Sequence, residues 1–207
     1  MSAAPRIAVF VSGGGRSLEN LALRIAAGEL NAQIALVLTN SPRAGALERA
    51  RRLRLAHVVI DGEKRLSPAE FSLAAFRAAE AAGAELVVLA GFLRLLVIPP
   101  AWLGRVLNIH PSLLPAFGGH GFYGHRVHEA VIASGVATSG CTVHYVTNEY
   151  DAGPILLQRA LEVRRDDTPD TLAARVFEEE KLALPAAIAL HLANDPRARA
   201  ARAALVS

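Results

Sequence analysis

The stretch Asn108-Ile109-His110-Pro111-Ser112-Leu113-Leu114-Pro115 is the most informative part of this 207-residue sequence. Asn108 and His110 follow apolar, strand-like residues, and residues two apart on a strand point to the same side of it. The prolines of the stretch interrupt regular structure, so the pair is expected where a strand opens into a loop. A later segment, Tyr150-Asp151-Ala152-Gly153-Pro154, supplies a carboxylate from a second loop. An amide, an imidazole and a carboxylate together can stabilise an oxyanion and move protons at a carbonyl carbon.

Strand and helix patterns alternate along the chain. The run Ile7–Val11 is continuously apolar, which is typical of a parallel strand buried on both faces. Apolar spacing predicts further strands at 34–38, 58–60, 86–90 and 106–109, and helices at 17–27, 44–55, 68–83 and 128–134. A hairpin of strands 141–146 and 155–163 and a long helix capped by Thr168 follow. The pattern predicts an α/β fold: an open, mostly parallel twisted sheet with helices on both faces, a C-terminal β-hairpin and a long helix.

Length and composition favour a single domain spanning 1–207, with a core at about 5–192 and a tail at 193–207. The apolar runs stay short of the roughly 18 residues that a membrane span needs, so no membrane partner is expected. The net charge is only +3, without the basic stripe typical of nucleic-acid binders. The only cysteine, Cys141, is predicted to be a small core residue, and a chain without an intramolecular disulfide fits the cytoplasm.

A glycine loop, Ser12-Gly13-Gly14-Gly15-Arg16-Ser17, links the first predicted strand to the first helix. Glycines let the backbone approach an anion closely, and the helix N-terminus adds free N–H groups. The dinucleotide fingerprint needs a third glycine where Leu18 stands, and the lysine of a Walker A loop is absent. The loop therefore indicates a site for a single phosphate, with a tight turn that binds no ligand as the alternative.

Histidines at 110, 120, 125 and 128 fall close together in the sequence, which makes a zinc site conceivable. No cysteine partner and no H-E-x-x-H pattern accompanies them, so we expect no metal. His120 lies among glycines and is predicted in a loop over the substrate. His144 is predicted to have a structural or supporting role.

These segments resemble the folate-dependent formyltransferases. The resemblance runs from about Ile7 to Ile188, and the segments that carry it are Ser12–Ser17, Leu89–Leu96, Leu107–Pro115, Gly124–Ala130, Ser139–His144 and Tyr150–Ile155. It implies a Rossmann-like fold and transfer of a formyl group from 10-formyltetrahydrofolate, the co-substrate, to an amine. The glycine-serine loop implies that the acceptor is glycinamide ribonucleotide, N1-(5-phosphoribosyl)glycinamide, an intermediate of de novo purine biosynthesis.

The resemblance also assigns residues. Asn108, His110 and Asp151 would be catalytic, with Asn108 and a protonated His110 stabilising the oxyanion and His110 and Asp151 handling protons. The substrate-binding residues would be Gly13, Gly14, Gly15, Arg16, Ser17 and Glu180. The folate would lie against Leu93, Arg94, Leu95 and Leu96, together with Asn108 and Asp151.

The chain departs from the family at three places. The phosphate loop ends in Arg16-Ser17 where members often have Ser-Asn or Thr-Asn, and Ala116 stands where a lysine often follows Leu-Leu-Pro. The third departure is a basic residue that contacts the folate tail in some members: no residue of this chain matches it, and Lys64 and Arg65 are the nearest candidates.

Alternative functions are a 10-formyltetrahydrofolate hydrolase, a methionyl-tRNA or sugar-nucleotide formyltransferase, and a ligand-binding module without catalysis. Either a monomer or a homodimer is consistent with the sequence.

Overall fold

The computed structural model describes residues 3–60 and 66–205. Seven strands form a mostly parallel sheet accompanied by helices, which confirms the predicted α/β class. The chain divides into two compact units, the first ending at Leu107 and the second starting at Asn108. Among the described residues, no helix is both long enough and apolar enough to cross a membrane.

The first unit alternates strands and helices: β1 (Arg6–Phe10), α1 (Arg16–Ala26), β2 (Gln33–Thr39), α2 (Ala46–Arg52), β3 (His57–Val59), α3 (Pro68–Ala81) and β4 (Leu86–Leu89). Its strands run parallel in the order β3-β2-β1-β4. All four residues of β4, and all of β1 after Arg6, are buried. Apolar runs of this kind form central strands because both faces of the sheet are covered.

The second unit carries the hairpin and the long helix that the sequence predicts. Strand β5 (Val106–His110) crosses the boundary, and α4 (His125–Ser134), β6 (Thr138–Tyr145), β7 (Ile155–Glu162), α5 (Pro169–Leu192) and α6 (Pro196–Ala203) follow. β6 and β7 pair antiparallel, and α5 packs against both strands. Thr168 caps α5 by accepting a hydrogen bond from the Thr171 N–H.

The largest differences between predicted and observed helix boundaries are at α2 and α4, whereas α5 agrees with the predicted long helix. α2 ends at Arg52 because the chain turns at Arg54, whose φ of 55° is left-handed. α4 begins at His125 rather than His128, so its first turn adds the polar residues His125 and Arg126 and the buried Val127. α5 continues through Pro185 to Leu192.

Helix α6 is anchored by one arginine. Arg202 donates to the Tyr145 hydroxyl at 3.3 Å and also bonds Asn194, while the same hydroxyl lies 2.9 Å from Nδ1 of His191. The apolar side of α6 consists of alanines, with Ala198 fully buried. The Ala/Arg-rich segment is therefore a helix that contacts α5 and β7 and is hydrogen-bonded to Tyr145 of β6.

Cys141 lies within β6 and is fully buried, which confirms its prediction as a core residue. Burial raises the pKa of its thiol to about 12, and the carboxylates of Glu180 and Glu179 act in the same direction. A thiol that stays protonated is a poor nucleophile, so Cys141 contributes packing rather than chemistry.

Candidate active site

The end of β5 and the loop between β6 and β7 bring the predicted polar residues together. Asn108 and His110 both lie on β5, and His110 is its last residue. Nδ1 of His110 lies 3.5 Å from Oδ2 of Asp151, which the β6–β7 loop supplies. His110 is only 4% exposed, and its Nε2 lies 2.8 Å from the Phe117 carbonyl oxygen. That carbonyl accepts a hydrogen bond from the Nε2–H group, so Nδ1 is the nitrogen that gains or loses a proton beside Asp151.

His144 is a fourth member of this cluster. Its Nδ1 donates to the Tyr145 carbonyl oxygen at 2.9 Å, which leaves Nε2 to accept from the Asn108 amide nitrogen at 3.1 Å. The same Nε2 lies 3.5 Å from Oδ1 of Asp151. The sequence predicted only a structural or supporting role for His144. Alternation along a strand predicts the side to which His144 points, but it does not reveal the partners of the ring.

A buried hydroxyl network fixes the loop that follows β5. The Thr142 hydroxyl donates to the Ser112 carbonyl oxygen at 2.7 Å and accepts from the Leu114 N–H at 3.0 Å. Gln158 on β7 donates to the Leu114 carbonyl at 3.0 Å and to the Thr142 hydroxyl at 2.9 Å. Buried polar groups that are satisfied in this way rigidify their surroundings. The loop that supplies the Phe117 carbonyl is therefore held by both strands of the hairpin.

The Asp151 loop is tightly constrained. Asp151 has a left-handed φ of 51°, and its Oδ2 accepts from the Gly119 N–H at 3.0 Å. The Tyr145 N–H donates to the Pro154 carbonyl at 2.9 Å and closes the loop. A Cβ at Gly153 would lie 1.7 Å from the Tyr145 carbonyl oxygen, so only glycine fits there. The loop thus aims the carboxylate at the two histidines.

Burial is the dominant influence on His110. It lowers the pKa of the imidazole below its usual range, although the Asp151 carboxylate and the Phe117 carbonyl act in the opposite direction. The neutral form is therefore favoured at neutral pH in the free chain. The family resemblance implies a protonated His110; the neutral form is favoured instead because burying the charged imidazolium is costly.

Asp151 shows the opposite balance. Burial raises its pKa, but the contact with His144, the charge of His110 and the Gly119 N–H together hold the pKa below its usual value. The carboxylate is therefore ionised at neutral pH. A neutral imidazole beside a carboxylate can accept a proton and hold it as an ion pair.

The remaining histidines of this region have other surroundings. His125 lies 3.0 Å from Glu129 and 2.9 Å from Asp170, and these two carboxylates raise its pKa. His128 is buried, its Nδ1 has no hydrogen-bond partner, and burial lowers its pKa to about 4. The exposed His120 packs edge-on against Tyr150. Within residues 3–60 and 66–205, no three or more potential ligands are grouped to hold a metal ion.

In the first unit, the predicted phosphate-binding residues lie at the start of α1. Gly15 is the residue before the helix and has a left-handed φ of 78°. A Cβ at Gly15 would come within 2.9 Å of Ala46, whereas Gly13 and Gly14 face open space. Arg16 and Ser17 form the first turn of α1. The loop therefore exposes backbone at Gly13 and Gly14 in front of a helix N-terminus.

The predicted folate-binding segment is tied to this loop. The Ser12 N–H donates to the Gly91 carbonyl at 3.0 Å, and the Ser12 hydroxyl accepts from the Leu93 N–H at 2.9 Å. Arg94 donates to the Leu66 carbonyl and stacks over the Phe71 ring. Leu93 is exposed, Leu95 is half-buried and Leu96 is buried. The segment thus combines an apolar wall with a backbone fixed by Ser12.

Two further predictions concern residues elsewhere. Glu180 is half-buried on α5, where its negative charge raises the pKa of the Cys141 thiol on β6. Its contact with substrate stays a prediction. Lys64 and Arg65 lie outside the described residues.

Residues 5–188 match the formyl transferase family, and the chain belongs to that family. It is similar to phosphoribosylglycinamide formyltransferase of Bacillus subtilis (strain 168), with 34% identity over 88% of this chain and 92% of that protein. It also resembles the crystal structure of glycinamide ribonucleotide transformylase 1 from Symbiobacterium toebii, with a TM-score of 0.85, 38% identity, and coverage of 92% of this chain and 88% of that one.

Other relatives are longer than the region they share with this chain. The chloroplastic phosphoribosylglycinamide formyltransferase of Arabidopsis thaliana is 42% identical over 84% of this chain, which spans 61% of that protein. The trifunctional purine biosynthetic protein adenosine-3 of Gallus gallus is 42% identical over 89% of this chain, but the match spans only 18% of that protein. The shared region is thus found both as most of a protein and as one part of a larger one.

Proposed function

We propose that this protein transfers the formyl group of 10-formyltetrahydrofolate to the amine of glycinamide ribonucleotide, a step of de novo purine biosynthesis. The observation that carries the proposal is the meeting of Asn108, His110 and Asp151 in a chain of the formyl transferase family. The names of the relatives, at 34–42% identity over most of this chain, support the choice of acceptor.

The reaction begins when the amine nitrogen attacks the formyl carbon. The formyl oxygen then becomes negatively charged, and the attacking nitrogen becomes positively charged. Asn108 is the donor best prepared for that oxygen, because His144 holds one N–H of its amide and leaves the second N–H for the oxyanion. Loss of one such donor commonly slows the chemical step by roughly 10²–10³-fold.

Proton transfer is assigned to His110 and Asp151. The neutral imidazole accepts at Nδ1 the proton that the attacking amine releases, and the Asp151 carboxylate stabilises the resulting imidazolium. The imidazolium then gives that proton to the folate nitrogen as the bond between this nitrogen and the formyl carbon breaks. The lowered pKa of His110 favours this second transfer, since it makes the imidazolium a stronger acid.

Substrate binding is assigned to the remaining predicted residues. The ribonucleotide phosphate is bound by Gly13–Ser17, with Glu180 as a further substrate contact, and the pterin lies against Leu93–Leu96.

We propose that the chain functions as one formyltransferase domain in the cytoplasm, as a monomer or homodimer. Formyl folate is its co-substrate, and the reaction uses no metal.

A spectroscopic assay of folate deformylation tests the proposal. Purified protein is mixed with a 10-formyl folate, with and without glycinamide ribonucleotide. Deformylation that requires the ribonucleotide is the expected result. Deformylation without it would replace the proposal with a hydrolase, and binding of both ligands without turnover would indicate a non-catalytic module. Turnover only with another amine acceptor would show that the acceptor is wrong.

A further inference from the structure

Two carbonyl groups of the glycine loop are hydrogen-bonded to helix α2. The Gly13 carbonyl accepts from the Ala46 N–H at 3.1 Å, and the Gly14 carbonyl accepts from Nε of Arg49 at 2.8 Å. In a trans peptide the N–H of the following residue points away from the carbonyl. The N–H groups of Gly14 and Gly15 therefore point away from α2.

The loop lies directly against the start of α2. A Cβ placed on Gly45 would be 3.4 Å from the Cα of Gly14, and a Cβ on Gly15 would be 2.9 Å from Ala46. Main-chain contact this close leaves the loop few alternative positions. The Arg49 side chain, which donates a hydrogen bond to the Gly14 carbonyl, then fixes the orientation of the Gly14–Gly15 peptide.

Arg49 also reaches the first helix. Its NH1 pairs with Glu19 in the first turn of α1, while its Nε holds the Gly14 carbonyl. Arg52, one turn further along α2, pairs with the other oxygen of Glu19. A planar guanidinium can hold two acceptors in fixed directions, which a lysine ammonium does less well. Arg49 and Arg52 thus share a carboxylate partner, but the described contact with the loop belongs to Arg49.

We propose that Arg49 is a positioning residue for phosphate binding. It fixes the Gly14–Gly15 peptide so that the Gly15 N–H faces a phosphate monoester, and it places a positive charge behind the loop. The inference rests on the proposed function for its ligand, the phosphate of the ribonucleotide. Because Arg49 acts through the backbone, its effect is confined to phosphorylated ligands and to binding.

Calorimetric titration of two matched variants, Arg49→Gln and Arg52→Gln, tests the proposal. Each variant removes one positive charge and one Glu19 pair, but only Arg49→Gln removes the bond to Gly14. We expect Arg49→Gln to weaken ribonucleotide binding roughly tenfold, whereas Arg52→Gln stays within about twofold of the unsubstituted protein. In the turnover assay, kcat at saturating ribonucleotide and KM for the folate should change less than about twofold in both variants.

The dephosphorylated ligand, glycinamide ribonucleoside, separates positioning from general damage. Its affinity should be the same in the Arg49→Gln variant and the unsubstituted protein. An equal loss for both ligands, or an equal loss in the two variants, would overturn the proposal. Should Arg49→Gln fail to fold, Arg49→Lys replaces it: a loss of about threefold or more is expected for the ribonucleotide, and unchanged affinity would contradict the role.

Inorganic phosphate, titrated in parallel, distinguishes this inference from the proposed function. If the unsubstituted protein binds phosphate but not the ribonucleotide, and Arg49→Gln selectively weakens phosphate binding, the role of Arg49 stands and the proposed acceptor fails. If the unsubstituted protein binds neither, both proposals are wrong.

Discussion

The glycine loop of the first unit and the polar cluster of the second unit offer polar groups to a ligand in opposite ways. In the loop, the groups are backbone N–H donors beside the open space at Gly13 and Gly14, and Arg49, which pairs with Glu19, bonds the Gly14 carbonyl. In the cluster, the groups are side chains that are largely buried, among them His110 and His144. Backbone donors keep one protonation state, whereas buried imidazoles and carboxylates can exchange protons. The first arrangement suits binding and the second suits chemistry.

The distribution of histidines follows the same division. Six of the seven histidines of the chain come after Leu107, and His57 is the only one before it. The lowered pKa values of His110, His128 and Asp151 all belong to the second unit. Perturbed pKa values tend to concentrate at functional sites. Substitutions in the two units should therefore change different measured quantities.

The largest effect is expected at His110. His110→Ala should lower kcat by about 10³-fold, because it removes the group that accepts and returns the proton. Dissociation constants for both substrates, measured by titration, should stay within about threefold, and the protein should remain folded. Near-native turnover would remove His110 from the mechanism and with it the contrast between the two units.

Gly14→Asp should weaken ribonucleotide binding by roughly tenfold to a hundredfold, since it sets a carboxylate against the phosphate. A Cβ at this position meets no atom within 4 Å, so the fold should tolerate the change. Gly14→Ala is the matched control and should bind within a few-fold of the unsubstituted protein. Unchanged affinity of the Asp variant, measured by calorimetry, would mean that the phosphate binds elsewhere.

His128 should make the protein less stable in mild acid. The unfolded chain binds a proton near pH 6.5, whereas the buried ring stays neutral down to about pH 4, so the unfolded state binds more protons in this window. Stability due to this group is therefore lost as the pH falls from 6.5 towards 4. Screening by solvent that reaches part of the ring limits the effect to about 2 kcal/mol.

Urea titrations at pH 7 and pH 4.5 measure this loss. His128→Leu should lose less stability between the two pH values than the unsubstituted protein. Equal pH dependence in His128→Leu and the unsubstituted protein would contradict the assignment.

The smallest effect is expected in helix α6. Arg202→Leu removes the contacts with Tyr145 and Asn194 and should lower the free energy of unfolding by about 1 kcal/mol. Arg199→Leu alters an exposed arginine of the same helix and should have almost no effect on stability. Thermal denaturation of the two variants measures the difference, and equal melting temperatures would show that the helix is not held by Arg202.

Much of this arrangement follows from short-range sequence signals. Alternation of apolar runs predicts the strands, and Thr168 before Pro169 predicts the start of α5. The spacing of Asn108 and His110 predicts their common side of β5, because a strand has a period of two. These features depend on neighbours in the chain and can therefore be predicted from the sequence.

Other features depend on partners that are distant in the sequence. The hydrogen bond between His144 and Asn108 forms only when β5 and β6 bring the two residues together. The hydrogen bond from Arg49 to the Gly14 carbonyl forms only when α2 lies against the glycine loop. The pKa of His110 depends on burial, which the local sequence does not specify. Arg49 lies in an arginine-rich stretch, 49–54, whose local sequence does not distinguish an arginine that bonds the glycine loop from one that faces solvent.

The left-handed backbone of Asp151 limits how its contribution can be measured. Asparagine and aspartate adopt such a conformation more readily than other side chains with a Cβ. Alanine or glutamate at this position would disturb the path of the loop together with the charge, so their kinetic defects would combine two causes. The substitution Asp151→Asn would keep the backbone and most of the shape while removing the charge. Two requirements therefore restrict the residue at this position: the left-handed turn and the negative charge of the carboxylate. A screen of all replacements would attribute to the loss of the carboxylate some activity losses that arise from disturbing the turn.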